Sequence, residues 1–276
     1  MAAIEPLAIV RLGAADAAQG LMLSTEAGWN QSEADWRFFL TEAVTVGVRA
    51  DGRLIATAAL LRHDAAEAWI SMVLVTANWR RQGLATRLVA HCLAAAAEHK
   101  LTVSLDATPA GAEVYGRIGF APTFELRRLR LDREDIGQRR PARAATAPDL
   151  QDLFARDRVA LGCDRRVLLD ALARRAGSRL VVAGNAMALV RAGRTARHVG
   201  PLFATDAAEA LALCRGIAAE EGSAVLVDAV AAHHDFVAGL VTDGWRMERP
   251  FQRMRFGTAA PRPAAPPFAI AGPEYG

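Results

Sequence analysis

The stretch Val73-Leu74-Val75-Thr76-Ala77-Asn78-Trp79-Arg80-Arg81-Gln82-Gly83-Leu84-Ala85-Thr86 decides how the rest of the chain is read. Its Val-rich start reads as a buried strand, and a short basic loop then leads directly into a helical pattern running on from Leu84. The first turn of a helix carries backbone N–H groups with no partner inside the helix, and the dipole adds partial positive charge there. Such a loop aims several donors at one spot, which is what a pyrophosphate requires. Gly83 and Ala85 leave room for the backbone to approach an anion, while Arg80 and Arg81 add charge able to form paired hydrogen bonds. The Gly-Lys-Ser/Thr ending of a Walker loop is missing, and so is the three-glycine dinucleotide fingerprint.

Upstream, residues 7–11 read as a strand. A helical pattern through Leu21 and Leu23 stops at Gly28, and a second helix follows Ser32 and Asp35, which resemble a capping box. Residues 44–49 and 53–61 flank Asp51-Gly52, a hairpin signal because this pair supplies the positive φ angles of a tight turn. Residues 69–75 make a third strand. Beyond the loop, a helix, a strand at 101–105, a helix at 110–118 closed by Gly119 and a strand at 124–131 predict an α/β chain with a mixed sheet.

The second half repeats this order. Asp106-Ala107 precedes a helix closed by Gly119-Phe120, and Asp228-Ala229 precedes one closed by Gly244-Trp245. A duplicated fold follows, with a first domain at 1–137, a linker at 138–148, a second domain at 149–257 and a Pro-rich tail at 258–276 whose Phe268-Ala269-Ile270-Ala271 is apolar enough to dock. The length of 276 residues, 52% hydrophobic and 23% charged, agrees with two globular domains. The 33 basic and 30 acidic residues nearly balance, so no general field favours nucleic acid or anionic membrane. Arg127, Arg128 and Arg130, interleaved with leucines, read as the exposed face of a strand. Three scattered cysteines, Cys92, Cys163 and Cys214, suit reduced core thiols, and no signal peptide or membrane span is read, so a cytoplasmic protein is expected. His233-His234-Asp235 is read as a solvated helix face, and no metal is assigned.

The spacing Arg80-x-x-Gly83-x-Ala85 after a Val-rich strand resembles the acetyl-coenzyme A loop of the GNAT superfamily of N-acetyltransferases, and residues 1–131 agree with that fold. The resemblance implies tandem GNAT-like domains, each a twisted, mostly antiparallel mixed sheet flanked by helices. It further implies that backbone groups of Val73 and Val75, either side of Leu74, bond the pantetheine arm like an added strand. The turn of Arg80, Arg81, Gln82, Gly83, Leu84, Ala85 and Thr86 would hold the pyrophosphate. Tyr115, four residues before Gly119-Phe120, matches the tyrosine that protonates the coenzyme sulfur in many GNAT enzymes. Among Glu26, Asp35, His63 and Glu67 as general base, Glu26 ranks first. It sits beside Trp29 and Asn30 on the helix-turn-helix that forms one wall of the acceptor pocket in this superfamily, with Asp35 on the following helix.

The second half lacks this equipment. Phe203-Ala204-Thr205-Asp206 with Glu209 stands where the phosphate loop belongs, and Leu240 stands where the tyrosine belongs. It resembles the cofactor-free GNAT-like domain that follows a GNAT domain in many bacterial proteins, with Asp157, Asp164 and Asp228 as possible pocket carboxylates. The expected activity is direct acetyl transfer from acetyl-CoA to a primary amine of a small molecule, by a monomer or homodimer, with the second domain shaping the acceptor pocket. The alternative is a non-catalytic acyl-CoA sensor.

Overall fold

A computed structural model describes residues 7–132, 143–257 and 265–276. Packing divides the chain into two compact units, one reaching to Val103 and the other starting at Ser104.

In the first unit, β1 (Ile9–Arg11), β2 (Val44–Ala50), β3 (Arg53–Arg62) and β4 (Glu67–Val75) form an antiparallel sheet in that order. The β2–β3 turn is made by Asp51 and Gly52, both at positive φ, as the Asp-Gly signal predicts. Helices α1 (Ala17–Glu26) and α2 (Glu33–Glu42) follow β1, and α3 (Leu84–Glu98) follows β4. Leu84, Leu88, Val89, Cys92 and Ala96 recur at helical spacing and bury one stripe of α3. Trp36 on α2 is fully buried and donates from Nε1 to Ser24 Oγ at 3.0 Å. The ring lies so close to α1 that a Cβ on Gly20 would stand 2.4 Å from Cε3. Gly20→Ala should therefore destabilise the chain by about 1–3 kcal/mol in a denaturant titration, although alanine is the better helix former, because overpacking against a fixed ring outweighs about 1 kcal/mol of propensity.

The second unit holds the strand order β5 (Thr102–Ala107), β12 (Arg246–Phe256), β6 (Phe120–Leu131), β11 (Val225–Val230), β10 (Arg197–Phe203), β9 (Ala186–Arg191), β8 (Arg179–Ala183) and β7 (Arg143–Ala144). Only β10 and β11 run parallel in this set. Its helices are α4 (Pro109–Ile118), α5 (Ala147–Leu161), α6 (Arg166–Ala173), α7 (Ala207–Glu220) and α8 (His234–Thr242).

The order β-α-α-β-β-β-α-β-α-β thus occurs twice along the chain, and the two copies exchange their last strands. β12, which ends the second copy, pairs with β5 of the first. β6, which ends the first, pairs with β11 of the second, and β6 and β12 pair with each other. This exchange is why packing divides the chain at Val103 while the repeat read from sequence divides it near 137. Residues 138–142 of the expected linker and 258–264 of the tail lie outside the described residues.

Two expectations change here. β6 begins at Phe120, four residues before the sequence reading, and Arg128 on it is buried, not exposed. Its guanidinium makes paired bonds to Asp228 on β11, Nε to Oδ1 at 2.7 Å and Nη2 to Oδ2 at 2.8 Å. Arg253 on β12 grips Asp106 on β5 in the same two-point manner, at 2.9 and 2.8 Å. Among the described residues no helix is long and apolar enough to cross a membrane.

Candidate functional site

Strand β4 is irregular near its end. Ala59 pairs with Ser71 and Thr57 with Leu74, so Ala58 faces two residues, Met72 and Val73. Met72 takes a positive φ of 52°, and its carbonyl accepts from Thr57 Oγ1 at 2.7 Å. A bulge of this kind drops one residue out of the ladder and re-aims its backbone groups. Val75 and Thr76 then lead into a short 3-10 turn, Ala77–Trp79, and Arg80 folds back to donate from Nε to the Val75 carbonyl at 3.0 Å.

The turn into α3 alternates handedness. Arg81 and Gly83 both sit at positive φ, 62° and 77°, and Gly83 is the N-cap of α3 with no side-chain cap bond and no acidic residue in the first turn. A Cβ on Gly83 would meet nothing within 4 Å. Arg80, Arg81, Gln82, Gly83 and Thr86 are exposed, Ala85 is partly exposed and Leu84 is anchored in the core. Uncapped helix amides, a left-handed turn with open space before it and two exposed guanidinium groups fit a diphosphate. The donor set therefore fits the coenzyme that the resemblance implies.

The equivalent turn of the second copy is built differently. Asp206 caps α7 by accepting from Glu209 N at 2.9 Å, and Glu209 Oε2 accepts from Thr205 N at 3.1 Å. Two carboxylates already use those amides, and a phosphate would meet like charge.

Glu26, at the end of α1, turns toward the loop. Oε2 accepts from Thr76 Oγ1 at 2.6 Å, Oε1 accepts from the Ala77 amide at 2.7 Å, and the Arg80 guanidinium stands 3.9 Å away. These hydrogen bonds, first from Thr76 and then from Ala77, with Arg80 behind them, hold its carboxyl below the usual range against a small desolvation effect. A carboxylate so held is a poor proton acceptor and a good brace for the end of β4. Asp35, expected on the acceptor wall, is buried and capping: its Oδ2 accepts from Ser32 N at 2.6 Å and from Ser32 Oγ at 2.8 Å, at the start of α2. Trp29 donates its amide to Ser24 O at 2.9 Å and lies partly exposed, with Asn30 beside it, in the turn between the two helices. His63 stacks on Trp69 at 6.1 Å and its amide donates to Glu67 O, so both base candidates there frame the β3–β4 turn.

Tyr115 lies on α4, which Thr108 caps by accepting from Gly111 N at 3.3 Å and Gly119 ends in the left-handed region. Its ring packs 6.0 Å from Phe120, itself 5.3 Å from Phe256 on the exchanged strand β12. That apolar packing pushes the phenol up to about 12, so it keeps its proton throughout the neutral range. Cys92 is buried in α3 and its thiol is pushed up to about 12 by burial, which suits a core residue and not a nucleophile.

The carboxylates considered in the second copy are committed to arginines or a helix start. Asp157 meets Arg165 at 2.6 and 3.0 Å, Asp228 meets Arg128, and Asp164 accepts from Arg166 N at 2.9 Å. Among the described residues no group of three or more His, Cys, Asp or Glu could hold a metal ion.

Comparison with known proteins bears on the family and the fold. The acetyltransferase (GNAT) family model matches residues 17–120, and a second model, an acetyltransferase (GNAT) domain, matches residues 153–266. No curated protein matches. Among solved structures, a protein of Pyrococcus horikoshii is similar over 100% of this chain and 98% of its own, with 17% identity and a TM-score of 0.82. A GCN5-related N-acetyltransferase of Sphaerobacter thermophilus covers 92% of this chain and 98% of its own at 16% identity and a TM-score of 0.65. A tandem GNAT protein from the clavulanic acid biosynthesis pathway, solved without acetyl-CoA, covers 92% and 100% at 17% identity and the same TM-score. At these identities the structures show the fold, and the two family models between them span most of the chain. The chain belongs to the GNAT acetyltransferase family and carries two GNAT domains in tandem.

Proposed function

We propose that the chain is an N-acetyltransferase that moves the acetyl group of acetyl-CoA directly onto a primary amine of a small molecule, with the first GNAT domain holding the coenzyme and the second shaping the acceptor pocket. The uncapped, left-handed turn at Gly83 carries this reading, because its counterpart at Asp206 is filled by its own carboxylates.

Bound acetyl-CoA would supply an activated thioester. Amides from Arg81 to Thr86, with the Arg80 and Arg81 guanidinium groups, would hold the diphosphate. Backbone groups of Val73 and Val75, flanking Leu74, would pair with the pantetheine amides, and Arg80 would leave the Val75 carbonyl to do so. The bulge at Met72 and Val73 frees a backbone N–H suited to a developing oxyanion. Glu26 would keep the end of β4 in place, while Trp29 and Asn30 line the acceptor side and the amine loses its proton to water. Tyr115, protonated at neutral pH, would hold the proton needed by the departing sulfur.

Tyr115→Phe should lower kcat about a hundredfold and leave the coenzyme Kd within a factor of two. A stopped assay with a panel of amines and a parallel calorimetric titration measure both. Unchanged turnover would remove Tyr115 from the reaction. Tight coenzyme binding with no turnover of any amine would favour a sensor.

A further inference from the structure

The parallel pairing of β10 and β11 spans only Arg197–Val199 against Val225–Val227. Beyond it the two strands part, and Ala269 bridges both Leu202 and Ala229. The segment bonds each side in turn. Phe268 N donates to Leu202 O and Leu202 N to Ala269 O, both at 2.9 Å, while Val230 N donates to Phe268 O and Ile270 N to Asp228 O, both at 3.0 Å. Gly200 admits this strand, since a Cβ there would stand 1.9 Å from Ile270 O.

Past Ile270 the segment enters a clamp of arginines. Arg191 donates to Ala271 O and lies 3.8 Å from the Glu274 carboxylate. Arg165 donates to Tyr275 O at 2.8 Å and to Gly276 O, and Arg175 donates to the Tyr275 hydroxyl at 3.1 Å. The guanidinium groups of Arg191 and Arg175 stand 5.1 and 5.8 Å from the Tyr275 ring, which is fully buried.

β10 and β11 are the repeats of β4 and β5. The segment therefore takes, beside β10, the added-strand place that the proposed reading gives the pantetheine arm beside β4. It does so in the copy whose phosphate turn is closed by Asp206 and Glu209. Edge-to-edge amide pairing, with pockets for individual side chains, is how peptide ligands are bound by strand addition. Pro266 and Pro267 directly precede the segment, and proline has no N–H with which to extend a ladder.

We propose that the β10–β11 cleft of the second domain is a peptide-binding site working by strand addition, and that residues 268–276 are its resident, exchangeable ligand, anchored by Tyr275. The site accepts an extended peptide with an acidic-aromatic pair, and its resident shuts the second domain to a coenzyme arm.

The test cuts the full chain once, at a protease sequence inserted within 258–264, and then adds a fluorescent peptide of residues 265–276. The cut chain should stay folded, retain its segment through gel filtration and exchange it saturably for the labelled peptide. Tyr275→Ala in that peptide should weaken binding at least tenfold. Unfolding on cleavage, absence of exchange or equal affinity of the Tyr275→Ala peptide would each overturn the proposal and make the segment ordinary core. Should the insertion itself prevent folding, hydrogen exchange of the uncut Tyr275→Ala chain decides. The Leu202 and Val230 amides should exchange at least tenfold faster with the β9–β10 and β6–β11 ladders unchanged, whereas uniform acceleration or none overturns the idea. Neither readout involves coenzyme, so this proposal and the acetyltransferase reading fail separately.

Discussion

Gly83→Glu is expected to weaken acetyl-CoA binding at least a hundredfold, equivalent to about 2.7 kcal/mol. The turn has the features of an anion cradle: a left-handed Gly83 with φ of 77°, no side-chain cap on α3 and no first-turn acid. A glutamate there would place a negative charge over the same amides and could cap them, reproducing what Asp206 and Glu209 do for α7. Any side chain at positive φ also strains the backbone by about 1–2 kcal/mol, so the charge effect needs a control. Gly83→Ala supplies it. A Cβ at this position meets open space, so alanine should share the strain and the loss of thermal stability yet reduce coenzyme affinity less than tenfold. Calorimetric titration of the three chains gives the comparison. If the glutamate variant binds acetyl-CoA as tightly as the parent chain, the diphosphate does not lie on this turn.

The turn was legible in the sequence because its physics is local: a strand, two arginines, a glycine and a helix start within fourteen residues. The second copy's lack of such a turn was legible for the same reason, since Asp206 and Glu209 are three apart. What depends on distant partners was not. Arg128 stands among alternating arginines and leucines on β6, and nothing near it in sequence announces Asp228, which neutralises it across a strand pair 100 residues on. Glu26 likewise reaches Thr76 across 50 residues, a contact that no local pattern announces. Asp35 had a local sign, the spacing from Ser32, and that sign correctly indicated a cap. The β4 bulge has no sequence signature, because Met72 enters the left-handed region without a glycine to mark it. The exchange of β6 and β12 is also silent, since each strand has the same pattern whichever copy it joins.

Asp228→Asn should destabilise the second unit by about 3–5 kcal/mol, the usual effect of removing one partner from a buried pair. Asp228 is fully buried and takes two bonds from Arg128 and one, at 2.9 Å, from His198 Nε2. The burial of Arg128 would then lack a compensating charge. Replacing both partners, Arg128→Met with Asp228→Leu, should recover part of the loss, because apolar side chains of similar size need no such compensation while His198 Nε2 is left without its acceptor. His198 adds a pH signature. Arg191 Nη2 lies 3.1 Å from its Nδ1 and can only donate, so Nδ1 accepts, and Nε2 carries the proton toward Asp228. Burial, with Arg191 adding to it, lowers the imidazole to about 4 despite the Asp228 carboxylate. The sign follows from linkage: the unfolded chain binds a proton near pH 6.5 that the folded chain refuses until about 4, so stability falls as pH drops through that interval. The loss approaches about 3 kcal/mol. Asp228, held below its ordinary value by Arg128 and His198, adds its own loss only at lower pH. His198→Gln can keep both hydrogen bonds without titrating. Urea denaturation between pH 7 and 4 should show a steep decline for the parent chain and a flatter one for that variant, and equal slopes would mean that His198 is not the group responsible.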